Sequence, residues 1–293
     1  MTKMKQTDNN CVKRAVFNRP DDANKGSCGS LLSICGCYGM AGAAVMAGSS
    51  ALKCGIGLLK TALPKSIYPI AAQNILESVY FPLSETQDGK ISADNTDFLL
   101  SQAEKSSAVL IGCGLSVCSD TEKITDSFVR NCTKPMVLDA DALNCICNNP
   151  DIIKLAKAPI VITPHPGEMS RLTKLSVQEV NQNRTETAVN FAKEYGVVCV
   201  LKGAGTVIAD KDGRVLLNTT GNSGMATGGS GDVLAGIVAA FLTQGAKAFD
   251  AAAAGAYLHG LAGDIAKEKF GKISMLPTDL IDCIHLAFRN CGL

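Results

Sequence analysis

The chain has 293 residues, and 46% of them are hydrophobic, so it is long and apolar enough to bury a substantial core. Its 28 Lys and Arg residues almost balance its 27 Asp and Glu residues, which leaves a formal charge of +1. A charge this small provides no overall field for nucleic acid or an acidic membrane surface, so the composition argues against both as partners.

The first 24 residues are polar and charged, and they lack the apolar run of a signal peptide. No stretch elsewhere is both uncharged and apolar throughout over the roughly 20 residues needed to cross a bilayer. We therefore predict a cytoplasmic protein in which residues 1–24 form an N-terminal arm and residues 25–293 form one domain. The arm is expected to pack on a neighbouring chain or on the surface of the domain.

Beyond the arm, short apolar runs alternate with longer segments of helical period, which is typical of parallel strands joined by crossover helices. Several runs are apolar throughout, so both faces of the sheet are expected to be covered. The predicted strands are residues 31–37, 57–62, 78–81, 108–112, 136–139, 160–163 and 197–202. The predicted helices include 43–54, 121–131 and 177–195, the last with Gly196 as its C-cap, and the polar segment 84–96 is predicted to be a loop.

The pattern changes after the seventh predicted strand. Residues 206–210 and 215–218 flank an Asp-Gly turn signal at 211–213, which predicts an antiparallel edge on an otherwise parallel sheet. Three helices are then predicted to close the chain. Because no repeat, low-complexity tract or long linker interrupts it, the sequence predicts one layered α/β domain.

The 13 cysteines are odd in number and lie mostly in apolar segments, so we interpret them as reduced core residues. There is no Cys-x-x-Cys pair and there are only three histidines, so local spacing builds neither a zinc ribbon nor a histidine-rich metal cage. A magnesium ion held by carboxylates and phosphate oxygens stays possible, because that arrangement leaves almost no spacing signature.

The most informative segment is the glycine-rich run 221–231, which holds five glycines and is followed by apolar residues of helical period. Glycines at a helix N-terminus let the backbone approach a ligand, and the free N–H groups there favour an anion. Asp232 falls in the first helical turn. It is either an ordinary first-turn carboxylate or the base that takes a proton from a hydroxyl attacking phosphorus. Neither a Walker P-loop nor a Gly-x-Gly-x-x-Gly fingerprint accompanies it.

Further candidates follow two predicted strands. Two prolines stiffen residues 163–168, so His165 and Glu168 have fixed directions at the carboxyl edge of the sheet, where open α/β sheets place ligands. His165 is either a satisfied loop histidine or a ligand contact, and Glu168 either caps the next helix or organises a metal. Asp139 and Asp141 face the same edge; Asp139 is the better ligand candidate, and Asp141 is equally well explained by structure.

Small residues mark the remaining candidate contacts. Residues 202–206 form either a tight turn with a solvated lysine or a place where a planar or phosphorylated group meets the backbone. Residues 112–114 and 42–44 are either close-packing sites or cleft-lining contacts. On the alanine-rich helix near the C-terminus, His259 is predicted to be a hydrogen-bonded core histidine rather than a ligand.

Several motifs, in order, resemble those of the NAD(P)H-hydrate dehydratases of the ribokinase-like superfamily, which repair hydrated nicotinamide cofactors. They are residues 25–29, 39–44, 112–115, 138–144, 163–168, 201–206, 221–232 and 257–260. Together they span nearly the whole chain. One departure is Asn24, which stands where relatives usually have histidine, so no cleft contact is assigned at this position.

The resemblance implies a three-layer α/β/α sandwich with a mainly parallel central sheet. It also implies phosphorylation of the C6 hydroxyl of (S)-NADHX or (S)-NADPHX by ADP or ATP, with magnesium, followed by loss of phosphate. Relatives are often homo-oligomers, and some are fused to an epimerase domain, so a separate NAD(P)HX epimerase is expected as a functional partner of this chain.

The resemblance also distributes roles among residues. Asp232 is expected to be the catalytic base and to contact substrate, and Glu168 to organise magnesium through water. The expected anion hole comprises Gly229, Ser230 and Gly231. The expected substrate contacts are Ala43, Gly114, His165 and Asp232, and the expected nucleotide contacts are Lys202, Gly203, Ala204, Gly205, Thr206 and Gly231.

Two alternatives stay open on the sequence. A ribokinase-like kinase for a small alcohol or vitamin precursor would use the same base and anion hole but leave a stable phosphate ester. A catalytically silent nucleotide sensor would keep the binding site without turnover.

Overall fold

A computed structural model describes residues 4–293 and shows a nine-stranded sheet with helices on both faces. The strands run in the order β3-β2-β1-β4-β5-β6-β7-β8-β9. They are Ser30–Ile34 (β1), Leu58–Pro64 (β2), Ser78–Leu83 (β3), Ala108–Ile111 (β4), Met136–Leu138 (β5), Ile160–Ile162 (β6), Val198–Leu201 (β7), Thr206–Ala209 (β8) and Val215–Asn218 (β9). Every pair from β3 to β7 is parallel, whereas β8 is antiparallel to β7 and to β9, as the Asp-Gly turn predicts.

Twelve α-helices accompany the sheet in residues 4–293. They are Asn9–Ala15 (α1), Ala41–Lys53 (α2), Tyr68–Asn74 (α3), Thr96–Glu104 (α4), Ser119–Asn131 (α5), Asp141–Ile146 (α6), Pro166–Thr173 (α7), Val177–Gln182 (α8), Arg184–Tyr195 (α9), Ser230–Thr243 (α10), Ala248–Phe270 (α11) and Pro277–Asn290 (α12). Short 3₁₀ helices lie at Lys65–Ile67, Ala93–Asn95, Pro150–Leu155 and Ser223–Met225. No helix in this part of the chain has the length and apolar character of a membrane span.

Two apolar layers flank the sheet, one on each face. On one face, side chains of α1, α2, α10, α11 and α12 pack together, with Phe241 completely buried. On the other, α4 to α9 cover the strands, with Phe128 completely buried. Successive side chains of each strand point alternately into the two layers, which explains why the strands are apolar throughout. The predicted three-layer sandwich is therefore the observed fold.

Helix α10 lies against α2 at very short range. A Cβ on Gly236 would fall 2.1 Å from the carbonyl oxygen of Ala47, so only glycine permits this approach. The contact fixes α10 beneath the carboxyl ends of the central strands. Its N-terminus, which carries the glycine-rich run, therefore points at the edge where the other candidate residues lie.

The prediction of one continuous helix at 177–195 is wrong, because the segment forms two helices, α8 and α9. Asn183, with φ −123° and ψ 38°, ends α8 and precedes α9, and no proline or glycine marks that break. The segment 84–96 is mainly loop, as predicted, but it contains the 3₁₀ turn Ala93–Asn95. The short helices α3, α4 and α6 are not among the predicted elements.

The part of the N-terminal arm that the structure describes packs on the domain itself. Cys11 and Val12 of α1 are buried in the apolar layer that contains α11. The hydroxyl of Thr7 donates to Asn218 at 2.7 Å, and Gln6 forms a bridge to Leu217 of β9. Residues 1–3 lie outside the described residues.

The cysteines are unpaired with one another, and ten of the thirteen are buried. Cys118, Cys145 and Cys147 are partly exposed. This arrangement agrees with the interpretation of the cysteines as small core residues without disulfides.

Candidate active site

The glycine-rich run forms a sharp turn into α10. Gly229 is the N-cap, with φ 101°, and a Cβ there would lie 2.5 Å from the sulfur of Met46. Ser230 donates its N–H to the carbonyl of Thr227 at 3.2 Å. Among the described hydrogen bonds, none uses the N–H of Gly229 or Gly231, so both are available to an anion at the positive end of the helix.

Asp232 lies in the first turn of α10, beside Cys113 and Asp139. One carboxylate oxygen of each aspartate and the Cys113 sulfur lie within 4.8 Å of one another. Burial and the charge of Asp139 raise the pKa of Asp232 to about 6, although the Cys113 thiol and the Lys202 ammonium oppose the shift. A carboxyl with this pKa is ionised near neutral pH and is a stronger proton acceptor than an exposed aspartate.

Lys202 supplies the positive charge of the site. Its Nζ lies 2.8 Å from Oδ1 of Asp139 and 3.8 Å from Oε2 of Glu168. Asp139 is almost completely buried, and the hydroxyl of Thr163 also donates to its Oδ1 at 2.6 Å. Burial alone would lower the pKa of Lys202, but the two carboxylates outweigh it and the pKa is raised. Lys202 is therefore a fixed cation.

His165 and Glu168 cap the start of α7 reciprocally. Nδ1 of His165 accepts from the N–H of Gly167 at 3.0 Å, and Oε2 of Glu168 accepts from the N–H of His165 at 2.8 Å. Burial, followed by the charges of Lys202 and Arg171, lowers the pKa of His165. Burial raises the pKa of Glu168, and Lys202 opposes that shift. The helix cap that the sequence left open is thus present, and it fixes the direction of both side chains.

A large cleft opens beside this charged group and encloses about 820 Å³. Its lining brings together His165, all five residues from 202 to 206, Gly231, and much of the segment from Asn218 to Thr227. The predicted nucleotide contacts therefore share one cavity. A volume of this size is in the range of small-molecule and cofactor sites.

Ala43 and Gly114 face each other outside the lining of this large cleft. A Cβ on Gly114 would meet the Cβ of Ala43 at 2.7 Å, so the two backbones approach closely. Cys113, the neighbour of Gly114, lies beside Asp232. Asp232 therefore lies between the large cleft and the small-residue contact.

Asp139 and Asp141 do different jobs, in agreement with the sequence argument. Asp141, the first residue of α6, accepts from the N–H of Ser116 at 2.7 Å and from Asn144. Ala140 between them has φ 48° and ψ −115°, an unusual conformation for a residue with a side chain. This kink turns Asp139 toward Lys202 and Asp141 toward the neighbouring loop.

Three residues that lie at the site were not predicted to be part of it. Arg184 of α9 donates to the carbonyls of Leu201, Lys202 and Gly205 at 2.9, 3.1 and 3.3 Å, which holds the turn between β7 and β8. Asp264 of α11 accepts from the N–H of Gly221 at 2.9 Å. Both contacts join residues distant in sequence, so no local motif could have found them.

His259 is the third such residue. Its Nε2 donates to the carbonyl of Ser230 at 2.9 Å, and burial lowers its pKa to about 4, so it is neutral at physiological pH. The predicted hydrogen bond exists, but the partner is the first residue of α10. His259 also lines the large cleft. The histidine thus supports the start of α10.

The layered fold, together with the free backbone N–H groups at the start of α10 and the adjacent carboxylate, is that of the ribokinase-like proteins. The ribokinase of Thermotoga maritima has the same fold at 14% identity, with a TM-score of 0.56 over 89% of this chain and 99% of that chain. A family model described as NAD(P)H-hydrate dehydratase matches residues 31–286, so the chain belongs to the NAD(P)H-hydrate dehydratase family. The family and fold predicted from the sequence are both confirmed.

Individual relatives agree with this assignment. The ADP/ATP-dependent NAD(P)H-hydrate dehydratase from Bacillus subtilis, co-crystallized with ATP/Mg²⁺, has 28% identity and a TM-score of 0.84, covering 99% of this chain and 100% of that chain. A bifunctional NAD(P)H-hydrate repair enzyme of Moorella thermoacetica is 41% identical over 272 residues, which are 93% of this chain and 51% of the relative. The chain thus spans about half the length of such bifunctional relatives.

Proposed function

We propose that the chain catalyses the nucleotide-dependent dehydration of (S)-NADHX or (S)-NADPHX to NADH or NADPH, with ADP or ATP as phosphoryl donor. The observation that carries the proposal is the position of Asp232, whose pKa is raised to about 6 and which lies one residue from the free N–H of Gly231. A base and an anion-binding backbone are thereby adjacent at the edge of a cleft lined by the predicted nucleotide contacts.

The first step would be phosphoryl transfer. Asp232 takes the proton of the C6 hydroxyl, the hydroxyl oxygen forms a bond to the terminal phosphorus, and the bond from that phosphorus to the nucleotide's bridging oxygen breaks. The products are a phosphate ester and AMP from ADP, or ADP from ATP. The N–H groups of Gly229 and Gly231 are directed at the negative charge of the phosphoryl group, and Lys202 adds a fixed positive charge nearby.

The second step would restore the double bond. The C6–O bond breaks and phosphate departs with its electron pair, while the neighbouring ring carbon loses a proton to water and its C–H electron pair forms the double bond. Hydroxide is a poor leaving group and phosphate is a good one. Phosphorylation by the nucleotide therefore speeds a dehydration that would be slow if hydroxide had to leave. In the proposed arrangement Ala43, Gly114 and His165 contact the nicotinamide nucleotide, and residues 202–206 contact the adenine nucleotide.

Magnesium is the metal that we propose accompanies the nucleotide. Oε2 of Glu168 already accepts from the N–H of His165 at 2.8 Å and lies 3.8 Å from Nζ of Lys202. A carboxylate with these partners fits a hydrogen bond to metal-bound water better than direct coordination, and this is the role we assign to Glu168. Magnesium would supply neutralisation of charge on the phosphate oxygens.

A direct assay tests the proposal. Purified protein is incubated with (S)-NADHX and magnesium, with ADP and ATP in parallel, and the near-ultraviolet absorbance of reduced nicotinamide is followed. Recovery of absorbance with release of one phosphate per turnover is expected with at least one nucleotide. Failure with both nucleotides would refute the dehydratase, and an accumulating phosphate ester would favour the small-alcohol kinase. Nucleotide binding without any product would instead indicate a sensor.

The cellular setting completes the proposal. We propose a cytoplasmic homo-oligomer that works beside a separate NAD(P)HX epimerase, which converts the R form of the hydrate into the S form. The bifunctional name of the Moorella thermoacetica relative, about half of which this chain spans, supports the link between the two activities. Recovery of absorbance from a mixture of both hydrate forms should therefore be incomplete until epimerase is added.

A further inference from the structure

Cys113, Asp139 and Asp232 lie together beside the start of α10, and each offers one atom that could bind a metal ion. The Cys113 sulfur lies 3.7 Å from Oδ2 of Asp139, and a carboxylate oxygen of Asp232 lies within 4.8 Å of that sulfur and of a carboxylate oxygen of Asp139. Thr163 and Lys202 both use Oδ1 of Asp139, so Oδ2 is left to face the thiol. Cys113 is completely buried.

The spacing suits a small tetrahedral cation. Zinc bonds to sulfur at about 2.3 Å and to carboxylate oxygen at about 2.0–2.2 Å, so two of its ligand atoms lie roughly 3.5 Å apart. The distance from the Cys113 sulfur to Oδ2 of Asp139 already matches this value. A small change in the rotamer of Asp232 would bring its carboxylate oxygen to the same distance from the metal ion. A water molecule would be the fourth ligand.

We propose that Cys113, Asp139 and Asp232 form a binding site for a thiophilic divalent cation such as Zn²⁺, separate from the magnesium carried with the nucleotide. On binding, the thiol proton passes to solvent and the sulfur bonds to the metal, with no change of oxidation state. The thiolate selects zinc over magnesium, because magnesium prefers oxygen ligands in an octahedral shell.

A consequence for catalysis follows if the proposed function is correct. A cation bound to the Asp232 carboxylate would occupy the lone pairs that accept the substrate proton, so zinc would inhibit turnover. Lys202 weakens the site by its own charge, because its Nζ lies 2.8 Å from Oδ1 of Asp139. The metal site itself does not depend on the proposed function; only the inhibition rests on it.

Cobalt(II) is the probe that tests the site, because a cobalt–thiolate bond gives a charge-transfer absorption band. The full-length protein, free of nucleotide and magnesium, is titrated with Co²⁺ and then with Zn²⁺. We expect a band that Zn²⁺ abolishes. Cys113→Ala should lose it, whereas the matched control Cys54→Ala, another buried cysteine in a different part of the core, should retain it.

A second variant keeps the test decisive if Cys113→Ala does not fold. Asp232→Asn leaves the thiol in place and should weaken Co²⁺ affinity about tenfold or more, because a charged ligand is lost. Absence of the band in the unmodified chain, or an unchanged band in Cys113→Ala, would overturn the inference. Turnover without a cobalt band refutes the metal site alone, and a band without turnover refutes the proposed function alone.

Discussion

Asp232→Asn should remove catalysis and at the same time stabilise the fold. Burial and the charge of Asp139 raise the pKa of Asp232 from its ordinary value of 3.8 to about 6. A shift of this size corresponds to about 3 kcal/mol, which is the cost of keeping the carboxylate ionised in the folded protein at neutral pH. Asparagine has nearly the same shape and no charge, so the variant avoids that cost.

The sign of the pH dependence follows from the raised pKa. The favourable contribution of Asp232 is fully present below its unfolded pKa of 3.8 and is lost as pH rises through its folded value of about 6. The stability advantage of Asp232→Asn should therefore be largest at neutral pH. It should shrink by roughly 2 kcal/mol between pH 7.5 and pH 4.5.

Urea unfolding at both pH values measures the advantage, and an increase of roughly 5 °C in melting temperature is expected at neutral pH. Turnover with (S)-NADHX should fall by a factor of about 10² to 10⁴ while nucleotide binding is retained. Asp282→Asn, on the exposed face of α12, is the matched control and should change neither quantity. Retained turnover would eliminate Asp232 as the base, and equal stabilities at both pH values would refute the burial argument.

Four further outcomes are expected. The kcat/KM of the unmodified chain should fall as pH drops below about 6, because Asp232 becomes protonated; a flat profile would contradict this. Gly229→Ala forces a side chain into φ 101° and should cost about 1–3 kcal/mol in urea unfolding, whereas Gly228→Ala, with open space around it, should cost little. Lys202→Met leaves buried carboxylates without their cation and should lower unfolding free energy by about 3–5 kcal/mol. Asp264→Ala releases one backbone N–H of the glycine-rich run and should raise the nucleotide KM several-fold with little change in kcat.

The sequence predicted the strands well because burial on both faces leaves a strong local signal. The runs 136–139 and 160–163 lie within a residue of β5 and β6. The division between α8 and α9 left no such signal, because Asn183 is compatible with helix and no proline or glycine interrupts the pattern. Local sequence patterns therefore predict that a helix or strand is present more reliably than whether a helix is continuous.

The sequence predicts several residues of the candidate site but few of the contacts that join them. Glycine spacing before an apolar helical period indicates an anion site, and the structure places Gly229 and Gly231 at the start of α10. The bond from Gly221 to Asp264 spans 43 residues, and the Cys113 thiol meets Asp139 across 26. Such contacts depend on how strands and helices pack, which no single segment of sequence encodes.

The charges around Asp232 show how the proposed anion site and the proposed base can lie side by side at one helix start. A free ammonium directed at Asp232 would favour its ionised form and weaken it as a proton acceptor. Lys202 is instead bonded to Asp139, and the Asp139 carboxylate raises the pKa of Asp232 more than Lys202 lowers it. In the proposed reaction, the ion pair keeps positive charge near the phosphoryl group while leaving Asp232 basic. Asp139 is needed for both effects, which gives a physical reason for an almost completely buried carboxylate at this edge of the sheet.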